Sequence, residues 1–378
     1  MRQIYLDFNA TTPVPPSVVE AMHPFFGEHY GNPSSSHAFG RAATEAIEDA
    51  RMQVAALLGA DQEEVIFTSG GTESNNLAIK GAMMAHGATA GGHIVISAIE
   101  HPAVSQPARF LERMGFDLTI VGCDQNGVVK PEMIEQALTS QTRLVSVMHA
   151  NNEIGTIQPI KQISEICRGR EILLHTDAAQ TIGKVRSMID ELQVDLLTIA
   201  GHKVYAPKGV GALYVREGLE LEPVLHGAGH EFGLRAGTEN TPYIVALGKA
   251  CLLAMRSVEE VSGRMCSLRD RMADHLGAAI PDMKINGFHA NRLPNTLSVV
   301  LPGINGNDLL RRCPEICAST GSACHSGTEE VSPTLNAIGL SPDEAKSTLR
   351  LSVGWYTSEE EIDRAASLLI DAWENMAT

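Results

Sequence analysis

The sequence predicts an α/β fold in which a mostly parallel sheet is enclosed by helices and followed by a smaller α+β unit. First, apolar runs alternate with helical segments over two-thirds of the chain, which is typical of a doubly wound sheet. Second, several runs are apolar almost throughout, as in parallel strands buried on both faces. Third, 378 residues exceed what one hydrophobic core usually holds.

The elements of the first unit follow from this alternation. Helices are predicted between the strands, for example over Glu45–Leu58 and Pro131–Leu138. The predicted strands are EVIFTS (64–69), HIVISA (93–98), LVSVMHA (144–150), ILLHTDA (172–178), DLLTIAG (195–201) and GVGALYV (209–215).

The last third has a different pattern. It begins with a long helical stretch from about Thr241 to Ala279 and ends with a helix in which Ser358 and Glu361 match a capping box. Between these helices we predict a short helix at 307–312 and strands at 296–303, 316–319 and 348–354. We therefore expect a large domain at residues 17–258 and a small domain made of residues 1–16 and 259–378.

Composition excludes several classes of protein. Lys+Arg 29 against Asp+Glu 45 gives a net charge of −16, which argues against a nucleic-acid partner. No run reaches the roughly 18 apolar residues of a membrane helix, so no membrane contact is expected. The N-terminus MRQIYLDFNATTP lacks the apolar core of a signal peptide, and the seven cysteines are an odd number. These features predict a cytoplasmic protein without a disulfide framework.

A glycine-rich turn is a candidate phosphate site. In FTSGGTESNNLAIKG (67–81), Gly70 and Gly71 permit close backbone approach, and Thr72 and Ser74 offer hydroxyls at a helix N-terminus. The spacing matches neither a Walker loop nor G-x-G-x-x-G. An ordinary strand-to-helix turn with a good N-cap is the alternative interpretation.

Two further strand ends carry groups suited to a ring cofactor. LLHTDAAQTIGK (173–184) places Asp177 at the end of a strand, where a carboxylate can pair with a protonated ring nitrogen, and Gln180 can donate to a ring oxygen. The alternative is that Asp177 is a helix N-cap. Lys203 follows the next strand, and burial there would suit a Schiff-base lysine, whereas a solvated loop lysine is the alternative.

Together these groups are the parts of a pyridoxal phosphate site. His101 in EHPAV follows another strand, and its imidazole can stack on a ring and carry protons. Asn152 in ANNEIGTIQPI adds a polar group near a strand end.

The chain resembles the NifS/IscS-like cysteine desulfurases, which belong to the class V aminotransferase group of fold type I pyridoxal phosphate enzymes. This resemblance implies a large domain with a mostly parallel seven-stranded sheet and a smaller α+β domain. It rests on YLDFNATTP, GNPSSSHAFGR, FTSGGTESNNLAIKG, EHPAV, SVMHANNEIGTIQPI, HTDAAQ, GHKVYAPKGVGALYV, RAGTEN, STGSACHSG and LRLSVG, which span nearly the whole chain.

The resemblance implies a role for each matching residue around the ring of the cofactor. Lys203 forms the Schiff base with it and moves the substrate Cα proton. Asp177 pairs with the pyridine nitrogen, Gln180 hydrogen-bonds the phenolic oxygen, and His101 stacks on the ring.

Other matching residues are implied to bind the phosphate group and the substrate. Gly71, Thr72 and His202 contact the phosphate, and Thr238 of RAGTEN reaches the phosphate of the neighbouring subunit, which implies a homodimer. In the substrate pocket, the residues implied to act are Asn152, which lines the pocket, and Arg350, which holds the carboxylate of L-cysteine.

The stretch CASTGSACHSG (317–327) contains the implied nucleophile, Cys324. Its thiolate takes sulfur from L-cysteine to give alanine and a persulfide, which passes to an unidentified sulfur-acceptor protein. The C-x3-C-x6-C spacing of Cys313, Cys317 and Cys324 fits no metal site, so none is expected. We expect Cys317 to be a packed core thiol and Cys313 to be incidental.

Some positions depart from the family's pattern. Phe8 stands where Asn is common in the first motif. Ala200 stands three residues before Lys203, where a phosphate-binding Ser is often found. We therefore expect phosphate binding to depend more on the remaining candidates, Thr72, Ser74, His202 and Thr238.

The loop around Cys324 also keeps a second activity open, that of a selenocysteine lyase. His325 and the run ACHS resemble the loop of those enzymes, and Ala200 and GTENTP favour the same interpretation. The spacing from Cys324 to LNAIGL instead resembles desulfurases with a long loop. His325 is interpreted either as an imidazolium that lowers the thiol pKa or as an exposed loop histidine.

Two other hypotheses are less well supported. An aminotransferase of the same fold would need no thiol in this loop. A non-catalytic protein that kept the fold would need none of the predicted cofactor residues.

Overall fold

The computed structural model describes residues 3–85, 91–325 and 328–377, with the backbone alone for residues 322–325, 328–330 and 377. The described strands are β1 (Ile4–Tyr5), β2 (Val65–Thr68), β3 (His93–Ser97), β4 (Asp117–Val121), β5 (Thr142–Ser146), β6 (Leu173–Asp177), β7 (Leu196–Ala200), β8 (Gly211–Val215), β9 (Lys284–Ile285), β10 (Thr296–Val300), β11 (Ile316–Cys317), β12 (Ser319–Thr320), β13 (Ser322–His325), β14 (Thr328–Val331) and β15 (Thr348–Ser352).

The α-helices of the same residues flank these strands. They are α1 (Pro16–Met22), α2 (Ala38–Leu58), α3 (Gly71–Met84), α4 (Pro102–Arg113), α5 (Pro131–Ala137), α6 (Ile160–Arg168), α7 (Ile189–Leu192), α8 (Thr241–Ala279), α9 (Gly306–Arg312), α10 (Pro333–Ala337), α11 (Pro342–Lys346) and α12 (Glu359–Ala377). None of the helices in the described ranges is both long and apolar enough to cross a membrane.

The central sheet has seven strands in the order β2-β8-β7-β6-β5-β3-β4. Strand β8 runs antiparallel to both of its neighbours, β2 and β7, and all other neighbouring pairs of this sheet are parallel. This confirms the predicted mostly parallel sheet. Strand β7 is buried throughout, which explains its nearly continuous apolar sequence. Strand β6 is buried except for its first residue, although its second half consists of the polar residues His175, Thr176 and Asp177.

Strand β4 was not predicted from the sequence. It lies at the edge of the sheet, pairs only with β3, and has one buried residue, Val121. An edge strand needs no continuous apolar run, so its alternating polar and apolar residues gave no clear signal.

The last third forms a second sheet in the order β12-β15-β10-β9, all antiparallel. The predicted long helix is confirmed as α8. The capping box of α12 is confirmed as well, because Ser358 N donates to Glu361 Oε2 at 3.1 Å and Glu361 N donates to Ser358 Oγ at 3.2 Å.

Two large apolar cores lie at the two ends of α8. The first half of the helix, including Ile244 and Leu247, packs in the core of the central sheet. The second half, including Met265 and Leu276, packs in the core of the second sheet, together with Ile4 of the N-terminal segment. The α8 residues of the two cores lie on either side of residue 259. The division into domains stays a prediction.

Two cysteines have their predicted roles exchanged. Cys313 is 2% exposed and belongs to the second core, so it is the packed thiol. Cys317 is only partly buried and its Sγ lies 3.6 Å from Gln3 Oε1, so the prediction of a core thiol is wrong. Its strand β11 pairs with the two-residue strand β1, which covers it incompletely.

Candidate active site

A cavity of about 330 Å³ lies where β6 and β7 end and where α3 and α4 begin. This is the edge at which ligands bind in open α/β sheets. Most of the predicted site residues line it, namely Gly71, Thr72, His101, Asn152, Asp177, Gln180, His202, Lys203 and Arg350. These residues extend from Gly71 to Arg350 in the sequence, so the fold brings distant parts of the chain together at one cavity.

Lys203 provides an amine in the cavity wall. It follows β7 in a short 3-10 turn, and its Nζ donates to the carbonyl oxygens of Asn9 at 2.6 Å and Ala10 at 2.8 Å. Burial, followed by the charge of Arg350, lowers the pKa of Lys203 to about 8. About one tenth of this amine is therefore unprotonated at pH 7. Its burial and its two carbonyl partners make the solvated-lysine interpretation wrong.

Asp177 provides a buried carboxylate at the end of β6. Its side chain is held by two donors, with Ala179 N at 2.9 Å from Oδ1 and Asn75 Nδ2 at 2.7 Å from Oδ2. No cation lies within ion-pair distance in the described part of the chain. The N-cap interpretation fails, because the next helix after β6 begins at Ile189.

Gln180 is fixed at both ends of its amide. Its Nε2 donates to the Asn9 carbonyl oxygen at 3.0 Å, and its Oε1 accepts from Lys184 Nζ at 2.8 Å. One N–H of the amide remains for an acceptor in the cavity.

The N-terminus of α3 borders the same cavity. Gly70 precedes it with φ +145°, and no side chain in the described part of the chain caps it, which leaves its first N–H groups suited to an anion. A Cβ at Gly71 would lie 3.1 Å from Ala200 Cβ, which is a tight approach. Ser74 is not part of this cradle, because its Oγ lies 2.7 Å from Thr68 Oγ1 and donates to Ala212 O. The expectation for Ser74 is therefore wrong.

Two imidazoles complete the lining near Lys203. His101 is the N-cap of α4, and its Nδ1 accepts from Ala103 N at 3.1 Å, which places the proton of the neutral ring on Nε2. Burial, aided by Lys203 and opposed by Asp177, lowers the pKa of His101. For His202, burial and the charge of Lys203 lower the pKa to about 4, so both rings are mainly neutral at pH 7.

Arg350 brings a guanidinium from β15 of the second sheet. Its Nη2 donates to Asp7 Oδ1 at 2.6 Å and to Ser319 Oγ at 2.9 Å, and its Nη1 donates to Asn152 O at 3.2 Å. Its Nε is buried and has no partner in the described residues. A buried donor without a partner is costly, so a further acceptor such as a carboxylate would stabilise this guanidinium.

Among the predicted residues whose side chains are described, Thr238 does not line the cavity. Thr238 is exposed on the segment before α8. The side chains of Cys324 and His325 lie outside the described residues. The backbone at Cys324 pairs with Glu329 in the β13–β14 hairpin. This hairpin follows β12, in which Ser319 pairs with Arg350.

Among the residues whose side chains are described, no group of three or more His, Cys, Asp or Glu is arranged to hold a metal ion. The six described cysteines are all free. The environments of Cys123, Cys167 and Cys251 raise their thiol pKa values, in each case mainly through burial. These thiols are therefore poor thiolate nucleophiles.

Sequence reasoning missed several residues of the site. Asn9 and Ala10 belong to YLDFNATTP, a motif that the sequence analysis quoted without giving it a role. Asn75 lies inside the glycine-rich motif, and Lys184 ends LLHTDAAQTIGK. Their presence in these motifs was the available signal, but backbone carbonyls and buried amides have no sequence pattern of their own.

Comparison with known proteins gives a consistent result. The aminotransferase class-V family model matches residues 4–365. The chain is 45% identical over 379 aligned residues to a protein named cysteine desulfurase IscS from Dictyoglomus turgidum, covering 100% of this chain and 96% of the relative.

Solved structures agree with this relationship. A NifS-like protein superposes with a TM-score of 0.90 at 37% identity and covers 99% of both chains. A structure described as SspA in complex with cysteine gives a TM-score of 0.82 at 38% identity, over 94% of this chain and 99% of that one. The chain therefore belongs to the class V aminotransferase family and, within it, to the cysteine desulfurases.

Proposed function

We propose that the protein is a pyridoxal 5′-phosphate-dependent cysteine desulfurase that converts L-cysteine to L-alanine and receives the sulfur as a persulfide on Cys324. The observation that carries this proposal is the meeting, in one cavity, of the Lys203 amine, the Asp177 carboxylate and the Arg350 guanidinium. The first two suit the cofactor and the third suits an amino-acid carboxylate. Its cysteine desulfurase relatives favour this activity over that of a selenocysteine lyase.

The residues present fit the cofactor. A buried carboxylate without a cationic partner suits a protonated ring nitrogen, so Asp177 would hold the pyridine side. Gln180 would donate to the phenolic oxygen and His101 would stack on the ring. The uncapped N-terminus of α3 would bind the phosphate through the backbone at Gly71 and Thr72, with His202 nearby.

The missing hydroxyl at Ala200 is consistent with this assignment. The side chain of Ala200 is 5% exposed and lines the cavity, so no side-chain donor is available at that position. Backbone N–H groups and the Thr72 hydroxyl would carry more of the phosphate binding in one subunit.

When bound, pyridoxal 5′-phosphate supplies an electron sink for the electrons released at the substrate Cα. Lys203 acts on the proton at that carbon, and its pKa of about 8 suits an amine that accepts and returns a proton near neutral pH. The carbonyl oxygens of Asn9 and Ala10 accept from the free amine and hold it in the cavity wall.

Arg350 is proposed to bind the substrate carboxylate, with Asn152 beside it. Asp7 holds one edge of the guanidinium at 2.6 Å, which fixes its plane. The buried Nε without a partner supports the presence of a further anionic acceptor.

The sulfur step transfers one sulfur atom between two thiols. The Cβ–S bond of L-cysteine breaks, and a bond forms between that sulfur and the Cys324 thiolate. The two sulfur atoms are oxidised to a persulfide while the substrate carbon is reduced and gains a proton, which gives L-alanine. The persulfide then passes its outer sulfur to an acceptor protein that the sequence does not identify.

The proposal includes a homodimer in the cytoplasm. Thr238 is exposed in one chain, as expected for a residue that reaches the phosphate of the neighbouring subunit. Exposed aromatic side chains support an interface nearby. Tyr30, Phe39 and Phe232 are 68%, 50% and 59% exposed, and Ser34 Oγ lies 3.2 Å from His230 Nε2, which brings their segments together. No nucleic acid or membrane is proposed as a partner.

The test compares the wild-type protein with Cys324→Ser and, as a matched control, Cys317→Ser. Each is incubated with L-cysteine, and L-alanine and protein-bound persulfide are measured. We expect Cys324→Ser to keep the cofactor absorbance near ~420 nm and to lose both products, while Cys317→Ser keeps both. Undiminished alanine formation by Cys324→Ser would disprove the role of Cys324.

The selenocysteine alternative is tested with the same proteins. We expect the wild-type protein to release alanine from L-cysteine at a rate comparable with that from L-selenocysteine. Turnover of L-selenocysteine alone would replace the proposed activity with that of a lyase. Amino transfer to a keto acid that is insensitive to thiol alkylation would instead indicate an aminotransferase.

A further inference from the structure

Lys184 is a buried lysine that the proposed reaction does not use. It is 4% exposed, and its Nζ donates to Gln180 Oε1 at 2.8 Å. Within the described residues no carboxylate lies within ion-pair distance of it. Burial, followed by the charges of Lys203 and Arg350, lowers the pKa of Lys184 to about 7. A buried amine without an acidic partner costs folding free energy, so a role beyond packing is indicated.

The local backbone is built to place this side chain. Gly183 has φ +74°, which favours glycine, and a Cβ there would lie 2.9 Å from Val204 Cγ2 and 3.1 Å from Ala254 Cβ. Lys184 N donates to Thr181 O at 2.9 Å, which closes the turn that begins after Gln180. The turn therefore returns Lys184 to the side chain four residues before it.

The contact decides which way the Gln180 amide faces. The protonated Lys184 amine can only donate, so it requires the oxygen, and the Asn9 carbonyl can only accept, so it requires the nitrogen. A reversed amide would lose both hydrogen bonds. An ammonium on the oxygen also polarises the amide and strengthens its N–H as a donor.

We propose that Lys184 is a positioning residue, which orients the Gln180 amide and strengthens its remaining N–H as a donor to an oxygen of the bound cofactor. This inference rests on the proposed function, because Gln180 is the residue that faces the cofactor. Lys184 itself does not line the cavity. A methionine would fill the same space without desolvating a charge, so packing alone does not account for a lysine.

The test follows the bound cofactor by absorbance rather than by turnover. Lys184→Met is purified with cofactor, and the pH at the midpoint of the absorbance change is compared with that of the wild-type protein. A donor and a positive charge near the ring oxygen favour the deprotonated form of the bound cofactor. Their loss is therefore expected to raise the midpoint by about half a pH unit to one pH unit. The cofactor dissociation constant is expected to rise about threefold to tenfold.

Matched variants separate positioning from general effects of charge. Lys161→Met removes an exposed lysine on α6 and is expected to leave the midpoint unchanged. Lys184→Arg keeps a charged donor. Lys184 borders a second cavity of about 670 Å³, which leaves room for the longer arginine side chain. The midpoint of this variant is therefore expected to stay near the wild-type value. If Lys184→Met does not fold, Lys184→Gln is the second neutral variant and is expected to raise the midpoint.

A double-mutant cycle with Gln180→Ala tests whether Lys184 acts through Gln180. In the Gln180→Ala background, Lys184→Met is expected to cause no further shift. An equal shift in both backgrounds, or no shift in the wild-type background, overturns the inference. Absence of a cofactor band in the wild-type protein would instead overturn the proposed function, so the two failures are distinguishable.

Discussion

Replacement of Arg350 by methionine is expected to weaken L-cysteine binding strongly while leaving the chemical step nearly intact. The guanidinium already donates to Asp7, Ser319 and Asn152, and its buried Nε has no partner in the described residues. Two charge-assisted hydrogen bonds to a carboxylate contribute about 3 to 4 kcal/mol. This corresponds to a loss of about 10²- to 10³-fold in kcat/KM.

The Arg350→Met substitution should raise KM rather than lower kcat. The substrate carboxylate lies on Cα, away from the Cβ–S bond that breaks, so Arg350 binds it equally in the ground state and the transition state. Removing such uniform binding raises KM and changes kcat little. The measurement is alanine formation as a function of L-cysteine concentration.

A ligand comparison isolates the carboxylate contact. L-alanine and ethylamine differ by this carboxylate, and their binding is followed by the absorbance of the cofactor. Arg350→Met is expected to weaken L-alanine binding by the full factor and to leave ethylamine binding unchanged. The control Lys161→Met, which removes an exposed cation on α6, is expected to retain L-alanine binding. Equal weakening of both ligands by Arg350→Met would refute the assignment.

Three further predictions concern buried groups. Burial raises the pKa of Glu100 to about 8, so the wild-type protein loses stability as pH rises from about 4.5 to 8. Glu100→Gln should gain stability relative to wild type over this window, by about 4 kcal/mol at pH 8 in urea unfolding. Arg51→Met leaves the Glu231 carboxylate, which is 2% exposed, without its partner at 2.8 Å, and should lower the free energy of unfolding by about 3 to 5 kcal/mol. The double variant Arg51→Met/Glu231→Gln should recover part of this loss, and no recovery would contradict the buried ion pair. Cys313→Ala should lower stability by about 1 kcal/mol and Cys317→Ala by less than half of that, and the reverse order in thermal unfolding would contradict the assignment of the core thiol.

Local sequence patterns determined the parallel core and the ends of its strands. Strand β7 is recognisable because burial on both faces requires nearly continuous apolar residues, and β6 is recognisable by the leucines that precede its polar end. Asp177 and Lys203 were placed correctly at the cavity because parallel strands end at the same edge of the sheet. The motifs that resemble cysteine desulfurases added the expected roles of the other residues.

The tertiary structure alone decided how distant segments complete the site. Lys203 donates to the carbonyl oxygen of Asn9, 194 residues away, and Arg350 donates to Asp7, 343 residues away. Neither contact has a local pattern, because periodicity reports only which face of an element is buried. The turn at Gly183, which leads to Lys184, likewise depends on distant residues, because it packs closely against Val204 and Ala254. The sequence thus determined which residues end their strands at the site, and the tertiary structure decided which partners set their charge and orientation.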